Sequence, residues 1–219
     1  MKTSSTEENY LKAIFKLSET ATPVSTTDIA NSLNIRSATV TDMLKRLSGK
    51  KLIRYEKYHG LYLTEKGRQA GIRIIRKHRL WELFLVEKMR FRWDEVHEIA
   101  EQLEHIQSDE LVNRLDELLG FPKTDPHGDP IPDRNGIFGT RHQSPLVNAP
   151  KGAPLTVTSV SENDPGLLQH LDKLGIAIGT QIEIETKEDY DHSMRIIVDD
   201  KQSFFISESV ASRIFVEVK

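Results

Sequence analysis

The sequence predicts a mainly α-helical protein with small β parts, an α+β chain in three pieces: an N-terminal winged helix-turn-helix, a helical dimerisation domain and a C-terminal SH3-like barrel. Three observations carry this prediction. Apolar residues recur at helical spacing through most of the chain up to Leu119. A short alternating segment with a central turn follows the third helical stretch. Beyond a stretch rich in Pro, Gly, Asp and Asn, the pattern changes to short alternating runs. At 219 residues the chain has room for one large domain or two to three small ones.

Each element has a local cause. In TEENYLKAIFKLS, residues 6–18, Tyr10, Leu11, Ile14, Phe15 and Leu17 form one apolar stripe, and Ala21-Thr22-Pro23 ends the helix. TTDIANSL, residues 26–33, is a short helix capped near Ser25 or Thr26. Asn34-Ile35 makes a tight turn, and residues 37–53 run as a helix until Gly49 stops it. IRYEKYHGLYL, residues 53–63, alternates about His59-Gly60 and reads as a β-hairpin. Helix, helix–turn–helix and hairpin in that order make a winged helix, whose second paired helix is the element that enters a DNA major groove.

From Thr64 to about Leu119 the chain reads as nearly continuous helix. Acids open DEVHEIAEQLEH, and Gly120 closes DELVNRLDELLG. These helices carry more apolar surface than one small domain needs, which predicts a dimerisation surface. Residues 121–150 are a long irregular connection. PLTVTSV, TQIEIET, SMRIIVD, SFFIS and RIFVEV then read as strands, with LLQHLDKL a helix after the first; this pattern predicts the barrel. The expected division is 1–72 for DNA binding, 73–140 for metal binding and dimerisation, 141–152 as linker and 153–219 as barrel.

Composition excludes several classes. The chain has no cysteine, hence no disulfide, thiolate nucleophile, zinc finger or iron–sulfur cluster. No apolar run approaches the roughly 18–20 residues that cross a bilayer. MKTSSTEENY lacks the apolar core of a secretory signal, so a cytoplasmic location with no membrane partner is expected. Residues 1–76 hold 14 Lys and Arg against 7 Asp and Glu, and the remainder hold 16 against 26. A basic N-terminal part on an acidic remainder predicts that only the first part meets a polyanion.

The chemistry concentrates in HEIAEQLEH. His97, Glu101, Glu104 and His105 share one helix face, and His78 and Glu82 form an i, i+4 pair on the preceding helix. Two antiparallel helices could bring both sets together as a divalent-metal site of imidazole and carboxylate donors. A solvated charged face accounts for either set alone. His97-Glu98-x-x-Glu101 has Glu where a zinc-protease helix needs a second His, and no nucleophile–base pair or phosphate-cradling glycine loop occurs, so no enzyme is expected. A winged-helix regulator of another ligand and a carboxylate–His metalloenzyme are the alternatives.

EENYLKAIFKL, RKHRLWE at 76–82, VHEIAEQLEH at 96–105, SDELVNRL and FPKTDPHGDPIP at 121–132 together resemble the diphtheria-toxin-repressor family of iron- and manganese-dependent transcription repressors. The likeness is to the manganese-regulator type with a C-terminal SH3-like, FeoA-type domain, and covers essentially the whole chain. It implies a homodimeric, metal-activated repressor of metal homeostasis that binds a double-stranded DNA operator, with two metal sites per subunit. The primary site would use Glu101, Glu104, His105 and Asn9; Glu at 101 points to Mn(II), with Fe(II) the alternative. Asn9 departs from the family, as does Lys12, which stands where some manganese regulators carry an acid. The second site would use His78, Glu82, Asp125 and His127, with Asp164 or else Glu162 from the third domain, and His97 as a further ligand.

For DNA, the recognition helix begins near Arg36-Ser37-Ala38-Thr39. The resemblance places Thr39, Thr41 and Asp42 at the groove. Lys45, Arg46, Lys50, Lys51 and the wing residues Arg54, Lys57 and Tyr58 are phosphate candidates.

Overall fold

The computed structural model describes residues 3–56, 60–140, 142–161, 164–199 and 201–218. Helix α1 (Ser5–Thr20) starts at a capping box: the Ser4 hydroxyl accepts from the Glu7 N–H, and the Glu7 carboxylate accepts from the Ser4 N–H at 2.8 Å. Ser25 caps α2 (Thr26–Ser32) by accepting from the Asp28 N–H at 3.0 Å. Asn34 turns the chain at φ 51°, a left-handed conformation Asn tolerates, and α3 (Ser37–Gly49) follows. The wing pairs β1 (Ile53–Glu56) with β2 (Gly60–Leu63), Ile53 opposite Leu63. Leu11, Ile14, Ile29, Val40, Leu44, Leu47 and Leu61 pack into one core.

Helix α4 (Glu65–Glu87) leaves the wing at a close approach: a Cβ on Gly67 would stand 1.8 Å from the Leu52 carbonyl oxygen. Two further helices follow, α5 (His97–Leu103) and α6 (Asp109–Leu118). The helical stretch is thus interrupted twice. Arg90 at φ 64° cannot continue a helix, and it opens the bend that carries Arg92-Trp93-Asp94.

The chain divides into two compact units. The first runs to His78 and adds Gln102–Asp109 and Pro132–Ile137; the second comprises Arg79–Glu101, Glu110–Ile131 and Phe138 onward. Within the second, an antiparallel sheet is ordered β3 (Ser144–Pro145), β8 (Ile214–Val218), β4 (Leu155–Val160), β5 (Gln181–Lys187), β6 (Met194–Val198), β7 (Gln202–Ile206). Helix α7 (Pro165–Lys173) buries Leu167, Leu168 and Leu171 in the same core as the strands. The five expected strands are present. The two-residue β3 and the four-residue α8 (Glu208–Ala211) are too short to leave a periodic signal. Among the described residues, no helix is long and apolar enough to cross a membrane.

Candidate metal centre and nucleic-acid face

In the first unit, a buried polar cluster forms where α1 meets the residues after α5. Glu104 is fully buried, and its Oε2 accepts from Lys12 Nζ at 2.8 Å and lies 2.6 Å from His78 Nδ1. Glu8, one helical turn before Lys12, faces His105: Oε2 is 2.8 Å from His105 Nδ1, while Oε1 accepts from the Gln107 amide at 2.6 Å and the Thr3 hydroxyl at 2.7 Å. Lys77 lies 3.9 Å from Glu8; burial lowers its pKa, and the Glu8 and Glu104 charges oppose that fall. Asn9 Oδ1 and Glu104 Oε1 are buried without a hydrogen-bond partner among the described residues.

In the second unit, Glu82, Asp125 and His127 are buried and bring their ligand atoms within 4.8 Å of one another. The sequence between α6 and the barrel builds this convergence. Asp125 Oδ1 accepts from the backbone N–H groups of His127 and Asp129, both at 2.9 Å, so the DPHGD turn is closed by its own first side chain. Asp125 Oδ2 lies 3.5 Å from Arg79 Nε, and Arg79 also donates to Asp129 and the Pro130 carbonyl. The turn is docked on β4: the His127 carbonyl accepts from the Val160 N–H at 2.9 Å, and Gly128 at φ 85° passes so close that a Cβ there would stand 2.1 Å from the Thr158 oxygen.

His127 Nε2 donates to the Trp93 carbonyl at 2.8 Å, which leaves Nδ1 pointing at Glu82 Oε2, 3.7 Å away. Burial opposes a charge on this ring, but Glu82 first, then Asp125 and the Trp93 carbonyl, outweigh it and raise the pKa to about 9. Trp93 stacks on the ring with centroids 6.0 Å apart. It is fixed in turn by α7: Asp172 accepts from Trp93 Nε1 at 3.0 Å and Arg92 at 2.9 Å, and Gln169 donates to Asp94 at 2.8 Å.

The DNA face follows from the amphipathic third helix. Val40, Leu44 and Leu47 point inward, which leaves Arg36, Ser37, Ala38, Thr39, Thr41, Asp42, Lys45 and Arg46 exposed together. Arg54 is exposed on the wing, its guanidinium 5.2 Å from the Tyr62 ring centroid. Lys57 and Tyr58 lie outside the described residues, as does Glu162. Lys50 is drawn away from a phosphate role, since its Nζ donates to Glu7 at 2.7 Å.

The structure separates the sequence-derived candidates. His97 Nδ1 lies 3.2 Å from Glu82, and its Nε2 lies 3.7 Å from Glu101. Glu82, Asp125 and His127 converge. Asp164 does not join them: its carboxylate caps α7 at the Leu167 N–H and pairs with Arg213, and these partners lower its pKa. Sequence reasoning missed Glu8, whose place in the first turn reads as an ordinary helix-dipole acid, and the Trp93 carbonyl, a backbone group with no residue signature.

A winged helix followed by helices and a turn that assemble buried carboxylate–imidazole sets defines a DNA-binding protein of the metal-binding type. Residues 2–61 match the family described as iron dependent repressor, N-terminal DNA binding domain; residues 64–133 match iron dependent repressor, metal binding and dimerisation domain; residues 144–218 match the FeoA domain. The iron-dependent repressor IdeR of Mycobacterium leprae is 32% identical over 194 residues, spanning 83% of this chain and 84% of that protein. Among solved structures, a manganese-dependent transcriptional repressor in complex with manganese superimposes with a TM-score of 0.90 at 32% identity, covering 97% of this chain and 100% of that one. ScaR with bound Zn2+ gives 0.82 at 33% identity, covering 97% and 99%. The chain belongs to the iron-dependent repressor family.

Proposed function

We propose that the protein is a homodimeric transcription repressor activated by a divalent ion, Mn(II) in preference to Fe(II), held by Glu82, Asp125 and His127. The carrying observation is the convergence of these three buried donors within 4.8 Å. Two carboxylates and one imidazole, with no sulfur donor, are the set that hard and borderline divalent ions prefer. Their local charge fits as well. With Asp129 they set three carboxylates against the Arg79 guanidinium and the His127 imidazole, so negative charge is left in excess there. A bound ion would offset that charge and cross-link α4 to the 125–129 turn.

The chain's own residues prepare the site. The Trp93 carbonyl keeps the imidazole proton on Nε2 and aims Nδ1 at the ligand position. The Asp125 turn fixes one oxygen, and the other faces the site beside Arg79 Nε. The DNA-contacting residues are Arg36 to Thr39, Thr41, Asp42, Lys45 and Arg54, with α3 in the major groove. Its exposed short polar side chains suit thymine-methyl and phosphate contact better than a bidentate base code. The working division remains 1–72, 73–140, a 141–152 linker and 153–219.

The test is a gel-shift titration with Mn(II) at one fixed salt, using the full-length protein, Glu82→Gln and His127→Gln, with dimer mass checked separately. Wild type should bind its operator only with metal, and both variants should lose that response while remaining dimers. Operator binding by chelator-treated wild type as tight as with metal would overturn the reading.

A further inference from the structure

The two polar clusters differ in charge. Around Glu82, Asp125 and Asp129 three carboxylates face the Arg79 guanidinium and the His127 imidazole. Around Glu8 and Glu104 two carboxylates face two ammonium groups, Lys12 and Lys77, and the imidazoles of His78 and His105, so their charge is balanced before any ion arrives. The Lys12–Glu104 contact has the features of a built site. It joins residues 92 positions apart at 2.8 Å, with side chains 9% and 0% exposed. His78 lies against the same Glu104 oxygen, and both oxygens of Glu8 are engaged by His105, Gln107 and Thr3. A divalent ion entering here would have to expel a buried ammonium from its carboxylate and leave that ammonium desolvated.

We propose that the Lys12 ammonium is a tethered cation standing where a metal ion would otherwise sit, closing the Glu8–Glu104–His105 cluster to divalent ions and linking α1 to the segment after α5 whether or not metal is present. The activating ion then lies outside this cluster. Which cluster holds it rests on the reading given above; that the N-terminal cluster holds none does not. The feature that makes this reversible by mutation is the pair of buried oxygens without donors, Asn9 Oδ1 and Glu104 Oε1. Replacing the ammonium by a carboxylate adds a third oxygen donor and turns a neutral cluster into one that calls for an ion.

The experiment is equilibrium dialysis of the full chain against Mn(II), with bound metal counted per chain, for wild type, Glu104→Gln, Lys12→Glu, Lys12→Met and His127→Gln. The inference expects one ion for wild type, an unchanged count for Glu104→Gln, two for Lys12→Glu and none for His127→Gln. Lys12→Met guards against misfolding of the acidic variant; it should remain folded by circular dichroism and take up a second, weaker ion. Two ions in wild type, with one lost in Glu104→Gln, would overturn it. No ion in wild type but one in Lys12→Glu would sink the Glu82–Asp125–His127 site and leave the role of Lys12 standing.

Discussion

Gly128→Ala tests whether the turn that carries the proposed ligands Asp125 and His127 is held by the barrel. The glycine sits at φ 85°, where a side chain costs about 1–2 kcal/mol. The added Cβ would also meet the Thr158 carbonyl oxygen at 2.1 Å, far inside contact distance, so the turn must lift from β4. Lifting it breaks the bond from the Val160 N–H to the His127 carbonyl, worth about 0.5–1.5 kcal/mol net. Together these give roughly 1.5–3.5 kcal/mol. At about 2–4 °C per kcal/mol for a chain of this size, the melting midpoint of metal-free protein should fall by roughly 3–14 °C. If the lifted turn is re-docked only when metal binds, the same energy appears in the binding constant as a weakening of about 10–300-fold, at 1.4 kcal/mol per tenfold. Differential scanning calorimetry and Mn(II) isothermal titration read the two effects. A variant with unchanged midpoint and unchanged affinity would show that residues 125–129 are positioned by something other than β4.

Metal affinity should rise with pH. His127 has a raised pKa of about 9, so near neutral pH the metal-free protein holds a proton that a ligating Nδ1 must release. Affinity should therefore grow by up to about tenfold per pH unit below that value and flatten above it. The sign for the metal-free fold is the reverse: the stabilisation from a raised His pKa is complete below the unfolded value and is lost as pH rises through about 9. Anaerobic Mn(II) titrations in the range below pH 9 would show it, and a flat profile would mean that no imidazole proton is displaced. Asp164→Ala should leave metal affinity unchanged and cost stability, about 1 kcal/mol for a lost helix cap, because its carboxylate serves α7 and Arg213. A drop in metal affinity without a drop in stability would restore it as a ligand.

The winged helix was legible because its causes are local. Ser25 capping α2, Asn34 turning the chain, and Val40, Leu44 and Leu47 on one stripe of α3 are all visible within a dozen residues. The alternation that predicts β4, β5 and β6 is local in the same sense. Site partners are not. His105 meets Glu8 from 97 positions away and Lys12 meets Glu104 from 92, and no periodicity encodes such pairings. Helical spacing singled out Glu82, the resemblance to the family added Asp125 and His127, and the structure brings the three together. The resemblance could not assign Asp164, because an Asp before Pro165 is equally the signature of a helix N-cap, and that is the use the structure makes of it.

Taken together, the contacts give the barrel a positioning role toward His127. Three separate attachments converge on His127 from the sheet and α7: the Val160 N–H holds its carbonyl, Asp172 holds the Trp93 ring stacked on its imidazole, and Gln169 holds Asp94 beside that tryptophan. None of these groups offers an atom to the site, yet each limits how far the imidazole can turn or the turn can drift. A site needs its donors held to within about half an ångström to bind well, and a loop of Pro, Gly and Asp cannot supply that rigidity by itself. The acidic donors of the proposed site come from α4 and the 125–129 turn, and contacts from the β domain hold that turn in place. Loss of that domain would therefore loosen a ligand set that is still chemically complete, which is a different defect from removing a ligand: weaker binding of every divalent ion, with the preference among ions kept.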